Sequence, residues 1–442
     1  MTTLKAASTL SNREYLALVV PFILSTMTQP LMGAVNTAVM GHMADPAYIA
    51  GVSLGVVLFN NLYWMFGFLR VSTSGFTAQA LGARSPRQEL LAFVRPLMVA
   101  VCISLVFILF QQPILNLYLQ IMAPEPHVSA ICVRYCRILI WGAPCVLINY
   151  VILGWLMGAM LVRATLMMQM STNFLNILLS LLFVSMLHLD VEGVAWATLL
   201  SQVYGLLVGI MLLICYGKLN FKLLCRSDLL DKKSLTEMCT VNGNLMLRCF
   251  FHLAINNGFT GGSVMLGTVM VAADAVLQQA QQTMSYMVDG LANGASIFAG
   301  RAVGAKDKKM FDAGLRLNFR WGVSLAFCLC CVYWIFDRTI LGWITDLPQV
   351  LQTALPYSFF VAAYPFACGM GIILYGVFTG ATDAFPISLA MFVSAVFFYV
   401  VRAILLPLFG NYGLWITFEG SLLVQGLVLY LSIHHLRRRH NF

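Results

Sequence analysis

Residues 69–83 read LRVSTSGFTAQALGA, and residues 291–305 read LANGASIFAGRAVGA. Laid over one another at an offset of 222, six of the fifteen positions are identical. A basic residue follows each block, Arg84 in one and Lys306 in the other. The same offset sets Gly154, Gly158 and Ala159 on Gly376, Gly380 and Ala381. One match between apolar segments carries little weight, but two separate blocks on one offset point to a duplicated chain.

Composition says what was duplicated. The 442 residues are 60% hydrophobic and 10% charged, with mean hydropathy +0.85. Soluble domains carry about 25% charged residues, so lipid must be the solvent for most of this surface. A spanning helix takes roughly 20 apolar residues and satisfies its own backbone groups. The apolar runs predict twelve helices near 15–39, 48–76, 92–110, 130–153, 164–187, 191–215, 238–260, 264–300, 317–336, 350–377, 386–408 and 412–435. Lys5 and Arg13 precede the first run, which is too long for a cleavable leader and lacks a small-residue cleavage site. It reads as an uncleaved first helix.

The chain has 26 Lys and Arg against 17 acids. The basic residues are not gathered in one stripe, which argues against nucleic acid. They recur in alternate loops: Lys5 and Arg13; Arg84, Arg87 and Arg95; Arg163; Lys218 to Lys233; Arg301 to Arg320; and Arg437 to Arg439. The opposite loops hold little beyond Arg338. This asymmetry predicts both termini in the cytoplasm. The longest polar loop contains CRSDLLDKKS (225–234) at the midpoint. It divides the chain into a bundle over 1–215, a linker over 216–237 and a second bundle over 238–442. Six spans is an even number, so the copies enter the membrane the same way up. The expected fold is an all-α polytopic membrane protein, two parallel-repeat six-helix bundles around a central cavity.

Several function classes fall away. No GxxxxGK[ST] loop is present for ATP, and nothing calls for a cofactor. An enzyme would need clustered catalytic residues, and His434 and His435 merely sit in the basic tail. The twelve cysteines are scattered through apolar runs, without the spacing of a metal site or disulfide framework, and read as small apolar filler. A lipid-linked-precursor flippase would want a strongly cationic cavity, and Arg70, Arg248 and Arg402 are few and balanced by acids.

The segments NTAVMGH (36–42), AGVSL (50–54) and SGFTAQALGA (74–83) resemble the first-repeat signature of the multidrug and toxic compound extrusion (MATE) family. DGLANGASIFAGRAVGA (289–305) resembles the second-repeat signature. The resemblance covers the whole chain in a six-plus-six arrangement. It implies cation-coupled antiport of bulky, amphipathic or cationic toxic compounds out of a bacterial cytoplasm, across the inner membrane. The expected partners are membrane lipid, small-molecule substrates and a coupling cation, H+ ahead of Na+, with the protein a monomer. There is one departure. The family often has Asp where this chain has Asn36, and Asp four residues after the position of Asn176, where this chain has Ser180.

Coupling needs a group whose charge or ligation changes during the cycle. Six ionisable residues fall inside the expected spans: Arg70, Arg248, Arg402, Asp274, Asp289 and Glu419. Each costs about 2.5–3.5 kcal/mol to insert. Asp289 leads, because Gln278, Gln282, Ser285, Asp289, Asn293 and Ser296 recur at helical spacing and form one polar stripe. Such a carboxylate could load and release a proton, or it could be a static partner of Arg248. Arg248, His252 and Asn256 repeat every four residues, and Arg248 is expected to neutralise Asp289 or Asp274. Glu419 is a further coupling candidate. Asp274 is expected near the outer end of its helix, too wet to be desolvated. In the first half Ser25, Gln29 and Asn36 share a face and, with Asn176, suggest an uncharged cavity lining.

Overall fold

Each long apolar run must begin and end somewhere, and in this chain prolines, hydroxyls and left-handed residues set the limits. Pro86, Pro126 and Pro348 stand at the first position of their helices, where a missing N–H costs nothing. Ser85 accepts from the Gln88 amide at 3.4 Å and Asp307 from the Met310 amide at 3.0 Å, each capping the helix that follows. The computed structural model describes residues 11–41, 46–187, 189–216, 228, 231–440 and 442; the side chains at 29–41, 46, 47, 49 and 185 also lie outside the described set.

Among the described residues there are twelve helices of 23 residues or more: α1 (Asn12–Gly41), α2 (Ala50–Gly82, with a turn near Gly67), α3 (Pro86–Leu109), α4 (Pro126–Gly158), α5 (Val162–Val184), α6 (Asp190–Tyr216), α7 (Lys232–Val264), α8 (Thr268–Ala305), α9 (Lys308–Ile344), α10 (Pro348–Gly380), α11 (Phe385–Phe409) and α12 (Asn411–Arg439). They match the twelve expected runs one for one. Among the described residues, nine are both long and apolar enough to cross a bilayer. Of the other three, α7 and α8 fall short in hydropathy because they carry the polar residues singled out above, while α1 has half its side chains undescribed. A shorter helix, Gln111–Met122, joins α3 to α4.

The duplication is built into the backbone at the offset of 222. Both ends of α4 map onto both ends of α10. Four of the left-handed residues pair likewise, Arg84 with Lys306 and Met160 with Thr382, as do the capping residues Ser85 and Asp307. The glycines explain themselves as close approaches. A Cβ on Gly154 or Gly158 would strike the Arg70 or Ser74 carbonyl of α2; one on Gly376 or Gly380 would strike the Ala292 or Ser296 carbonyl of α8. Those four backbone partners are themselves related by 222. Only glycine lets the fourth helix of each repeat lie this close to the second.

The chain forms two compact units. One spans Thr28–Leu235, with α4 packed against α2, α3 and α6. The other contains residues 11–27 and Thr236–Phe442. In this second unit the first half of α1 packs on α8 and α9. Tyr15 donates to Asn318 Oδ1 at 2.6 Å and stacks on Phe298 with centroids 5.6 Å apart. Val19 and Ile23 fill the space that Gly294 and Gly290 leave open, and Thr26 donates to the Tyr286 carbonyl at 2.6 Å.

Candidate functional site

The second unit places its intramembrane polar groups on α7, α8, α10, α11 and α12. On α8, Gln278, Ser285, Asp289 and Asn293 are half-buried and Ser296 is buried. Gln282 is exposed, so the stripe is not uniformly enclosed. Its side chain bonds instead to Tyr286 on the same helix.

Glu419 on α12 is buried, 8% exposed. Its Oε1 accepts from Gln281 Nε2 at 2.9 Å, while Oε2 is enclosed without a partner. Small residues bring the neighbouring helix in around it. Gly413 meets the Leu405 carbonyl of α11, Gly420 faces the Phe397 ring, and Ser394 of α11 donates to the Ser421 carbonyl. Tyr364 and Cys368, one turn apart on α10, are buried within electrostatic reach of both Glu419 and Asp289, and Tyr364 bonds to Ser285. Two carboxylates, an amide, a phenol and a thiol therefore share one region of this unit.

Arg248 lies with its guanidinium 4.0 Å from the Tyr375 ring centroid, a cation–π contact, and its field reaches Asp289. The alternative partner for Arg248, Asp274, is engaged elsewhere. Asp274 accepts from Ser263 Oγ, and from Asn411 Nδ2 and Trp415 Nε1, both at 2.9 Å. It is only 2% exposed, which corrects the expectation of a wet helix end: the start of α12 and the Trp415 ring cover it. Arg402 donates to the Gly258 carbonyl at 2.6 Å rather than to an acid.

The first unit holds no such carboxylate at the matching points. Asp289 stands where the first repeat has Gly67. Asn176 donates to Ser201 Oγ at 3.2 Å and Thr198 Oγ1 at 3.4 Å. Its Oδ1 and the Ser180 hydroxyl are buried without partners. Ser25, on the part of α1 that belongs to the second unit, is buried; the side chains of Gln29 and Asn36 lie outside the described residues. Sequence reasoning missed Gln281, Tyr364 and Cys368. Gln281 sits one position off the stripe, and the other two lie in an otherwise apolar run.

Two repeats of six long helices, most of them apolar enough to cross a bilayer, make this an all-α, multi-pass membrane protein. The family model MatE matches residues 21–182 and 254–405, one block in each half, and the chain belongs to that family. DNA damage-inducible protein F of Escherichia coli is 31% identical over 98% of this chain and 93% of its own. A probable multidrug resistance protein NorM of Listeria monocytogenes is 21% identical over 97% and 96%. Among solved structures, an outward-facing MATE family transporter of the MOP superfamily superposes with TM-score 0.88 at 17% identity, covering 99% of this chain and 100% of that one. The bent form of the Vibrio cholerae transporter VcmN gives 0.86 at 17% identity, covering 97% of each. The two solved structures share the fold, and the membrane-spanning helices with the bacterial relatives support a multi-pass inner-membrane protein.

Proposed function

We propose that the protein exports toxic small molecules, amphipathic or cationic, in exchange for protons, by alternating access, and that coupling resides in the second repeat. Relatives named as multidrug resistance proteins support the substrate class. The observation that carries the coupling site is Glu419: a buried carboxylate with one oxygen held by Gln281 and the other enclosed without a donor. A bare charge in such a place costs several kcal/mol, so the group is served by taking up a proton or a cation. Asp289, sharing Tyr364 and Cys368 with it, is the second member, and the pair takes up a proton from one side of the membrane and releases it to the other as the cavity changes sides. Arg248 keeps Asp289 from standing as an isolated charge. Asn36, Gln29, Ser25 and Asn176 contribute uncharged lining, and Gln278, Gln282, Ser285 and Asn293 a polar wall. The alternating basic loops support both termini being cytoplasmic, and the protein works as a monomer in lipid.

The test is transport in proteoliposomes with an imposed pH gradient and a fluorescent lipophilic cation as cargo. Wild type moves cargo against the proton gradient; Glu419→Gln loses gradient-driven movement while still binding cargo. Movement in wild type that ignores both pH and sodium gradients would sink the antiport reading.

A further inference from the structure

The first part of α4, Pro126–Leu139, is a regular helix that gives way to a 3-10 turn at Ile140–Gly142 before the α-helix resumes. His127, Ala130, Arg134, Arg137 and Trp141 recur at steps of three and four, and all are exposed, so they make one outward face. The opposite face, with Ile131, Cys132, Tyr135 and Cys136, is buried. Both arginines fall inside the expected apolar run 130–153. Among the described residues neither guanidinium has a hydrogen-bond or ion-pair partner.

An exposed, unpaired arginine is expensive in hydrocarbon, so this face lies where water or headgroups reach. Two observations set its depth. Helix α3 is 24 residues long, about 36 Å at 1.5 Å per residue, which completes a crossing of a core about 30 Å thick. It ends on Leu109 and Phe110, 75% and 54% exposed, and the next residues, Gln111 and Gln112, line one crevice with Arg137 and Ile140. Arg137 is therefore level with the end of a completed span. On the other side of it, one turn deeper, Trp141 is 58% exposed, at the level where interfacial tryptophans gather. Arg134 lies one turn further out. At the offset of 222 the matching residues are Pro356, Phe359 and Ala363, so the cationic face belongs to the first repeat alone.

We propose that Arg134 and Arg137, with Trp141 beneath them, bind the phosphodiester headgroup of an anionic phospholipid in the leaflet opposite the basic loops. Side chains one turn apart leave the helix about 5–6 Å from each other, close enough for two guanidinium forks to hold one phosphate from two sides. The acyl chains run down beside Trp141. A zwitterionic lipid brings its own cation to the two arginines; an anionic one brings only the charge they lack.

The probe is phosphatidylglycerol, titrated into the full-length protein in detergent and counted by native mass spectrometry. Phosphatidylcholine with the same acyl chains and inorganic phosphate are the parallel arms. Wild type should retain one more phosphatidylglycerol than the double variant Arg134→Gln/Arg137→Gln. Each single replacement should weaken that lipid about fivefold, and the pair about twenty-fivefold. Phosphatidylcholine retention should be the same in all four proteins, which also shows that the variants are folded. Unchanged phosphatidylglycerol retention in the double variant overturns the proposal. So does an equal loss of phosphatidylcholine, which would make the face a general lipid contact. Displacement of the lipid by equimolar inorganic phosphate overturns it as well, because the site would then serve a free anion.

Discussion

The replacement Gly380→Ala tests the close approach that defines each repeat. A Cβ there would sit against the Ser296 carbonyl oxygen and 2.7 and 2.8 Å from the Ser296 carbonyl carbon and Cα. These are backbone atoms in the middle of α8 and cannot swing aside as a side-chain tip would. Helix α10 must back away by on the order of 1 Å, in an interior packed like a crystal. The Thr379–Ser296 hydroxyl contact at 3.4 Å is lost with it. Overpacking of this kind costs about 1–3 kcal/mol, and a backbone clash with no flexible neighbour belongs in the upper half of that range. At roughly 2–4 °C per kcal/mol for a unit of this size, the midpoint should fall by roughly 4–12 °C. Thermal unfolding of purified protein in detergent, followed by fluorescence-detected size exclusion, reads this directly. Gly369→Ala is the control: it lies in the same helix with nothing within 4 Å of its added carbon. It should match wild type or gain slightly, since alanine is the better helix former. Gly158→Ala should fall with Gly380→Ala, because its Cβ would meet the Ser74 carbonyl and Thr77. If Gly380→Ala melts with the Gly369→Ala control, the packing argument is wrong.

Asp274→Ala strips the acceptor from Ser263, Asn411 and Trp415 at once; with buried orphaned donors costing about 1–3 kcal/mol each, it should lower thermal stability more than Asp274→Asn does. Arg439→Ala removes the cation from Asp383, which is 3% exposed. Because the arginine is half-exposed, water recovers part of the loss, so about 1–2 kcal/mol is expected rather than the 3–5 kcal/mol of a fully buried pair, measurable by the same unfolding assay. Burial, and then the charge of Arg439, hold the His440 imidazole below its ordinary 6.5, with Asp383 pulling the other way. A lowered histidine favours the folded tail while it is neutral, so this contribution is complete above about pH 6.5 and is lost as pH falls below that value. Hydrogen exchange of residues 436–442 should therefore speed up on mild acidification in wild type and lose that dependence in His440→Gln.

The twelve helices and their duplication were legible because both are local or self-referential properties. A run of twenty apolar residues declares itself, and a repeat is compared only with its own chain. The polar face of α8 was legible for the same reason, as a period of 3.6. What periodicity does not encode is which neighbour a face meets. Gln281 lies about 100° around the helix from Gln282, and only the placement of α12 turns it into the ligand of Glu419. Asp274 looked wet because its distance from the helix end was visible and the Trp415 and Asn411 side chains that cover it were not. Tyr364 and Cys368 gave no signal in an apolar run. They matter only because α10 brings them to two carboxylates distant in sequence. The packing of the first half of α1 with the second unit is equally non-local, and Tyr15 reads as an ordinary interfacial aromatic until Asn318 is found opposite it.

The central claim is that a buried carboxylate on α12 carries the coupling ion. The most direct measurement is the proton count on loading cargo, in detergent-solubilised protein at weak buffer strength, comparing wild type with Glu419→Gln and with Asn176→Asp. Wild type should release protons when a lipophilic cation binds, and Glu419→Gln should bind the same cation with that release reduced or gone. Asn176→Asp, which adds a carboxylate to the first repeat, should leave the Glu419-dependent release in place. Undiminished proton release in Glu419→Gln would contradict the account.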